Sequence, residues 1–130
     1  MIVLDASAAI DWLLQTPAGH RIERRISSRS EKLHAPHLID LEVVHALRRL
    51  VRDGAVVQLR ADEAVSFLQA LPLTRHAHIA LLPRIWQYRH NLSAYDAAYV
   101  VLAETLGAAL ITRDARLASS HGHRAKIELF

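Results

Sequence analysis

The chain of 130 residues contains no cysteine. Disulfide bridges, thiol nucleophiles and cysteine-ligated zinc or iron–sulfur sites are therefore excluded, and the composition fits the reducing cytoplasm, which is the location we expect. No stretch approaches the ~20 apolar residues that a membrane-spanning helix needs, so we expect no membrane partner. Residues 1–14 lack both a basic beginning and a long apolar core, and we expect no signal peptide there.

Several sequence motifs are also missing. The chain has no Walker phosphate-binding loop, no glycine fingerprint for dinucleotides and no turn of the kind that carries a nucleophilic serine. Two histidine pairs, His76 with His78 and His121 with His123, do not have the i, i+4 helical spacing of zinc hydrolases. We therefore expect these histidines to lie at the surface.

The residues that are present indicate an ordinary globular protein with a basic segment. Hydrophobic residues make up 52% and charged residues 22% of the chain, and the formal net charge is +3. The basic residues of the segment are Arg21, Arg24, Arg25, Arg29 and Lys32, with Glu23 and Glu31 among them. The segment is either a solvated helix face or a surface that contacts phosphates, and its composition supports both interpretations equally.

Short apolar segments alternate with helical patterns along the whole chain. Strands are predicted at residues 2–4, 33–35, 73–76, 108–112 and 127–130, the second of them ended by Pro36. Helices are predicted at residues 8–14, 17–29, 39–53, 61–71, 80–89 and 93–106, with a helical turn from residue 114. This alternation indicates an α/β fold, in which a central, mostly parallel, twisted sheet has helices on both faces, and we expect one domain over residues 1–130.

Four carboxylates lie at positions where such a fold can bind a ligand. Asp5 and Asp114 each follow a predicted strand, and ligands of open parallel sheets bind beyond the carboxyl ends of the strands. Asp96 lies in the first turn of a helix, and Glu42 lies in the middle of one. Asp5 and Asp114 can instead cap helices, and Asp96 can complete a capping box with Ser93. Glu42 can simply be solvated, and spacing alone favours these structural alternatives.

The sequence around these acids resembles the PIN-domain nucleases, and among them the VapC toxins of bacterial and archaeal toxin–antitoxin pairs. Four segments carry the resemblance, in the family's order and across nearly the whole chain. They are residues 2–8 (IVLDASA), 36–43 (PHLIDLEV), 92–99 (LSAYDAAY) and 110–117 (LITRDARL). The resemblance implies a PIN-like domain and a site in which the four acids are gathered.

By this resemblance the family's catalytic quartet falls on Asp5, Glu42, Asp96 and Asp114, with the hydroxyls of Ser7 and Thr112 close by. Clustered acids repel one another unless a cation neutralises them, and phosphodiester hydrolysis uses Mg²⁺ or Mn²⁺ bound by oxygen ligands. We expect Asp5, Asp96 and Asp114 to hold the ion and Glu42 to orient or deprotonate the attacking water. Arg113 and Arg116 either contact RNA phosphates or form structural ion pairs.

The resemblance also implies a function and partners. It implies a metal-dependent endoribonuclease toxin that cleaves structured cellular RNA, such as transfer or ribosomal RNA, that forms a homodimer, and that a cognate antitoxin blocks. Apolar residues at positions 10–14 and 47–57 either form the partner surface or pack in the core. A PIN nuclease of general RNA processing and a catalytically silent PIN domain that only binds remain alternatives. A receiver-type signalling domain is disfavoured, because residues 72–76 contain no acid that could be phosphorylated.

Overall fold

The structure is a computed structural model that describes residues 1–28 and 30–130. The strands within these residues are β1 (Ile2–Leu4), β2 (Leu33–Pro36), β3 (Leu73–His76), β4 (Ala109–Thr112) and β5 (Lys126–Leu129). The helices are α1 (Ala6–Leu13), α2 (Pro17–Ser27), α3 (Leu38–Arg52), α4 (Gln58–Ala70), α5 (Leu82–Gln87), α6 (Ala94–Leu106) and α7 (Ala115–Ala118). Arg29, predicted as the end of the second helix and a member of the basic segment, lies outside the described residues.

All five strands are parallel and lie in the order β3-β2-β1-β4-β5. The chain runs from β1 outward to β3 and then crosses back to β4 and β5. Because parallel crossovers are right-handed, this reversal places the helices of the two halves on opposite faces of the sheet. All three residues of β1 are fully buried, as expected for a strand covered on both sides. The predicted α/β architecture is confirmed, with a sheet that is parallel throughout.

The helix boundaries follow from local sequence. The hydroxyl of Thr16 caps α2 by accepting a hydrogen bond from the Gly19 backbone N–H at 3.1 Å, and Pro17 occupies the first turn, where no N–H is needed. A Cβ atom at Gly19 would lie 2.0 Å from the carbonyl oxygen of Asp11, so glycine permits the close approach of α1 and α2. Gly107 ends α6 in the left-handed conformation with φ of 60°, as its position after the helical pattern predicts.

Two predicted boundaries around prolines are wrong. The sequence predicts that Pro36 lies beyond the second strand, but Pro36 is the last residue of β2 and pairs in register with His76. A terminal strand position tolerates the missing N–H. The single helix predicted over residues 80–89 is instead a 3₁₀ turn, Ile79–Leu81, followed by α5. Pro83 lies in the first turn of α5, since a proline is accommodated at the start of a helix and not in its interior.

The order in which strands are added to the sheet changes direction between the central strands β1 and β4. The connection after β1 leads toward β2 on one side, and the connection after β4 leads toward β5 on the other. In open parallel sheets, the two diverging connections leave a crevice at the carboxyl ends of such strands, and ligands bind there. Asp5 and Asp114 follow these two strands, so the topology brings the beginning and the end of the chain to one site. Among the described helices, none has the length and hydropathy that a membrane crossing requires.

Candidate active site

Asp5 is held by hydroxyl groups at the end of β1. It occupies the N-cap position of α1, yet its side chain makes no capping hydrogen bond, so the capping alternative is wrong for this residue. Its Oδ2 atom accepts hydrogen bonds from Ser7 Oγ at 2.5 Å and from Thr112 Oγ1 at 2.7 Å. Asp5 is only 6% exposed, and its Oδ1 atom has no hydrogen-bond partner among the described residues. The carboxylate is therefore fixed in one orientation with one oxygen available to a ligand.

Glu42 lies on α3 and faces the same end of the sheet. Its Oε2 atom accepts a hydrogen bond of 3.0 Å from the hydroxyl of Tyr99, a buried residue of α6. Burial raises the pKa of Glu42 to about 7; the hydrogen bond from Tyr99 opposes this rise, and the charges of Asp5 and Asp96 add to it. Glu42 is thus not a solvated mid-helix residue. A carboxylate with a pKa near neutrality suits the exchange of protons with water.

Asp96 lies in the first turn of α6, close enough to the other acids to be affected by their charge. The side chain of Ser93 caps this helix by accepting a hydrogen bond from the Asp96 backbone N–H at 3.1 Å. Burial raises the pKa of the Asp96 carboxyl; contact with Ser93 opposes the rise, and the charges of Asp5 and Asp114 add to it. Only one half of the predicted capping box forms within the described residues, so the carboxylate remains available to the site.

Asp114 acts as a helix cap. Its Oδ1 atom accepts hydrogen bonds from the backbone N–H groups of Arg116 at 2.8 Å and Leu117 at 3.4 Å, at the start of α7. Burial by itself would raise the pKa of Asp114, but the hydrogen bonds from Arg116 and Leu117 outweigh it and lower the pKa below its ordinary value. Thr112 supports both ends of this arrangement, since its hydroxyl donates to Asp5 and accepts from the Asp114 backbone N–H at 3.0 Å. Asp114 therefore combines a structural cap with a position beside the acidic cluster.

The two arginines near the site differ in their contacts. The Nε atom of Arg113 donates to Asp11 Oδ2 at 2.7 Å, and its Nη1 atom contacts the backbone carbonyl of Phe130. Arg113 thus forms a structural ion pair with Asp11, which connects the loop after β4 to α1. The side chain of Arg116 is 91% exposed, and its one ion pair among the described residues is a 3.4 Å contact with Asp114. Arg116 remains free to contact an anionic ligand, as a surface cation beside the site.

The apolar segments largely serve the fold, whereas the basic segment does so through Arg25. Arg21, Arg24 and Lys32 are exposed, and both interpretations of these three residues stay open. Arg25, in α2, forms ion pairs with Glu31 at 2.7 Å and with Glu128 of β5 at 2.9 Å, so it is not available to a phosphate. The apolar residues at positions 10–14 are buried or partly buried, as are those at 47–56 that pack against the core. Val57, by contrast, is 72% exposed. Core packing therefore accounts for most of these residues.

The histidine prediction is partly wrong. His78 and His121 are exposed as expected, but His76 and His123 are half-buried. The pairing of β2 with β3 brings His76 against the buried His34, whose Nδ1 atom lies 2.9 Å from His76 Nε2. The pairing of two distant strands is not visible in the spacing of residues along the chain, so this contact could not be predicted from the sequence.

The donor set of the acidic cluster fits a hard divalent cation that keeps much of its hydration. No three histidine, aspartate or glutamate side chains in residues 1–28 and 30–130 are arranged to hold a single ion by themselves. Mg²⁺, however, commonly takes one or two carboxylates and completes its octahedron with water and phosphate oxygens. Asp5 has one carboxylate oxygen without a hydrogen-bond partner among the described residues, and Asp114 uses Oδ1 as a helix cap while its Oδ2 atom lies 3.4 Å from Arg116. The assignment of Asp5, Asp96 and Asp114 as metal ligands stays a prediction.

Comparisons with known proteins give a family and several relatives for the chain. Residues 2–120 match the PIN domain family. Ribonuclease VapC12 of Mycobacterium tuberculosis is 48% identical to this chain over 134 residues, which cover 99% of the chain and 98% of the relative. Ribonuclease VapC9 of the same organism is 42% identical over 120 residues, which cover 92% of the chain and 91% of the relative.

Two solved structures share the fold. The crystal structure of PAE2754 from Pyrobaculum aerophilum superposes with a TM-score of 0.71 at 24% identity, covering 97% of this chain and 81% of that one. The structure of Mycobacterium tuberculosis VapC20, described as a sarcin-ricin loop cleaving toxin, superposes with a TM-score of 0.67 at 14% identity. That alignment covers 92% of this chain and 94% of VapC20. At these identities the two structures support the architecture alone.

Proposed function

The chain belongs to the PIN-domain family as a VapC-type ribonuclease, and from this premise we propose that it is a metal-dependent endoribonuclease toxin with Mg²⁺ or Mn²⁺ as its cofactor. The observation that carries the proposal is the cluster of Asp5, Glu42 and Asp96, in which burial raises the pKa of Glu42 to about 7 and the charges of Asp5 and Asp96 add to the rise. We further propose that its substrate is structured cellular RNA, such as transfer or ribosomal RNA, and that it acts in the cytoplasm.

The residues of the site have separate roles in this mechanism. Asp5 and Asp96 would hold the ion through carboxylate oxygens, and Asp114 completes the acidic environment while it caps α7. A bound Mg²⁺ or Mn²⁺ would polarise the phosphoryl oxygens and lower the pKa of a water molecule. Ser7 and Thr112 fix the Asp5 carboxylate through their hydroxyl groups, so that it does not have to be reoriented when substrate binds.

Glu42 is the proton acceptor in the proposed reaction. With a pKa of about 7, a large fraction of the side chain is ionised at neutral pH and able to accept a proton from water. The water oxygen then forms a bond to phosphorus in line with the ribose oxygen, whose bond to phosphorus breaks and which takes up a proton from solvent. The exposed Arg116 lies beside Asp114 and contacts a phosphate of the bound RNA.

Cleavage of total cellular RNA by the purified protein tests the nuclease function. We expect discrete products with Mg²⁺ or Mn²⁺ and none after addition of EDTA or in Asp5→Asn. Asp62→Asn is the matched control, since Asp62 is an exposed acid of α4 outside the site, and it should cleave as the wild type does. If Asp5→Asn, folded according to its circular dichroism, cleaved as fast as the wild type, the proposed site would be wrong.

A growth experiment tests the toxin role. We expect induced expression of the chain to arrest a bacterial host, and we expect co-expression of a cognate antitoxin, sought in the neighbouring gene, to restore growth. Arrest that no neighbouring gene product relieves would favour a nuclease of general RNA processing, and absence of cleavage with every metal would favour a PIN domain that only binds. The proposed homodimer is tested by sedimentation equilibrium of the purified protein.

A further inference from the structure

Tyr99 has a buried hydroxyl group directed at the acidic cluster. The residue is 1% exposed and lies on α6, one helical turn after Asp96. Its hydroxyl donates a 3.0 Å hydrogen bond to Glu42 Oε2. Tyr99 thus connects α6, which carries Asp96, with α3, which carries Glu42.

The chemistry of this contact assigns the direction of the hydrogen bond. Burial raises the pKa of Tyr99 far above its usual range, and the charges of Glu42 and Asp5 raise it further. The phenol therefore stays protonated at neutral pH, and toward Glu42 it acts as a donor. Core packing alone would be met equally well by phenylalanine, since the ring fills the space and the hydroxyl would only add a polar group to be satisfied.

Glu42 depends on Tyr99 for its orientation. A glutamate side chain has three rotatable bonds, and no cationic side chain among the described residues forms a salt bridge with this one. Among the described residues, the hydrogen bond from Tyr99 is the one side-chain hydrogen bond that holds Glu42 Oε2. With Oε2 engaged by Tyr99, the other carboxylate oxygen, Oε1, has no hydrogen-bond partner among the described residues and is the atom that can accept a proton.

A second tyrosine–glutamate pair in the same protein has a different environment. The hydroxyl of Tyr88 donates to Glu104 at 2.9 Å, but Glu104 also pairs with Arg84 at 2.7 Å and accepts from the Arg124 backbone N–H at 2.7 Å. Glu104 is neutralised by a cation and held by several donors, so this pair stabilises the fold. Glu42 has the tyrosine without the cation, which is the arrangement expected of a carboxylate kept for proton transfer.

We propose that Tyr99 is a positioning residue, which acts through Glu42 by fixing the orientation of its carboxylate with a single hydrogen bond. This inference rests on the proposed nuclease function and adds to it a residue outside the acidic quartet. The contribution of Tyr99 to catalysis comes from its hydroxyl group alone, because the aromatic ring remains in place when tyrosine is replaced by phenylalanine.

Steady-state cleavage of one defined RNA by four variants tests the proposal. Tyr99→Phe should lower kcat by roughly 10- to 100-fold, the usual effect of losing a group that orients a catalytic residue, and should leave KM within about twofold. Tyr88→Phe is the matched control and should keep the wild-type kcat. In a Glu42→Gln background, Tyr99→Phe should cause no further loss, because residues that act as one unit are not additive.

A measurement without catalysis supports the same test. Side-chain coupling constants of Glu42, measured by NMR, should report a single rotamer in the wild type and in Tyr88→Phe, and rotamer averaging in Tyr99→Phe. If the wild type cleaves RNA and Tyr99→Phe has the same kcat, the positioning role is wrong while the nuclease function stands. An additive loss of kcat in the Glu42→Gln background would also overturn the positioning role. A wild type that cleaves no RNA would overturn both the nuclease function and the role of Tyr99 in that function.

Discussion

Replacing Glu42 by glutamine should make the metal-free protein more stable at alkaline pH. The folded protein raises the pKa of Glu42 to about 7, through burial first and then through the charges of Asp5 and Asp96, whereas the ordinary value is 4.5. A carboxyl group with a raised pKa contributes stability below its unfolded pKa and loses that contribution as pH rises through its folded pKa. At pH 8 the ionised Glu42 therefore destabilises the folded state.

The size of the effect follows from the two pKa values. The difference between about 7 and 4.5 corresponds to about 3.4 kcal/mol for a site shielded from solvent. Glu42 is only partly buried, and solvent screening reduces the effect to about 1 to 2 kcal/mol. Glutamine is neutral, has nearly the same shape and retains an oxygen that can accept the hydrogen bond from Tyr99, so Glu42→Gln removes the penalty without creating a cavity.

Urea unfolding in EDTA at pH 8 and at pH 5 measures this difference. We expect Glu42→Gln to raise the free energy of unfolding by about 1 to 2 kcal/mol at pH 8 and by much less at pH 5, where the folded wild type is protonated. Glu104→Gln is the matched control and should be destabilising at pH 8, since hydrogen bonds from Arg124, Arg84 and Tyr88 outweigh burial and lower the pKa of Glu104. Equal or lower stability of Glu42→Gln at pH 8 would refute the reasoning.

Three further predictions concern residues around the site. Burial, and then the charge of His76, lowers the pKa of His34, so the protein should lose stability as pH falls below about 6.5. Between pH 7.5 and pH 5.5 the melting temperature of His34→Leu should therefore fall less than that of the wild type. Asp114→Ala should cost about 1 kcal/mol in urea unfolding because α7 loses its cap, and an unchanged midpoint would contradict this. Arg116→Ala should weaken RNA binding and lower its salt dependence by about one ion without changing the melting temperature, whereas Arg113→Ala should lower the melting temperature.

Much of the fold was predictable because its signals are local. The apolar residues of β1 and β4, the cap at Thr16 and the glycine that ends α6 each determine a boundary through neighbouring residues. Alternation of strands and helices then determined the architecture, since parallel crossovers have one handedness. Asp5 and Asp114 could be placed at the ends of two strands, and the pairing of β1 with β4 in the structure brings them to one crevice.

The remaining features depend on contacts between distant parts of the chain. Nothing in the spacing of Tyr99 separates it from an ordinary core aromatic, because its partner Glu42 is 57 positions away. The contact between His34 and His76 depends on the pairing of β2 with β3. The cap formed by Asp114 was foreseen as one of two alternatives, and the hydrogen bonds of the folded chain were needed to see that it forms while the corresponding cap at Asp5 does not.

The central claim is that the acidic cluster binds a metal ion. Its most direct test is a calorimetric titration of EDTA-treated protein, freed of EDTA, with Mn²⁺. We predict that the wild type and the Asp62→Asn control bind the ion, and that Asp5→Asn and Asp96→Asn, with folding confirmed by circular dichroism, lose this binding, because these two carboxylates are the proposed ligands. Binding of Mn²⁺ by both site variants with the affinity of the wild type would contradict a metal site at this cluster.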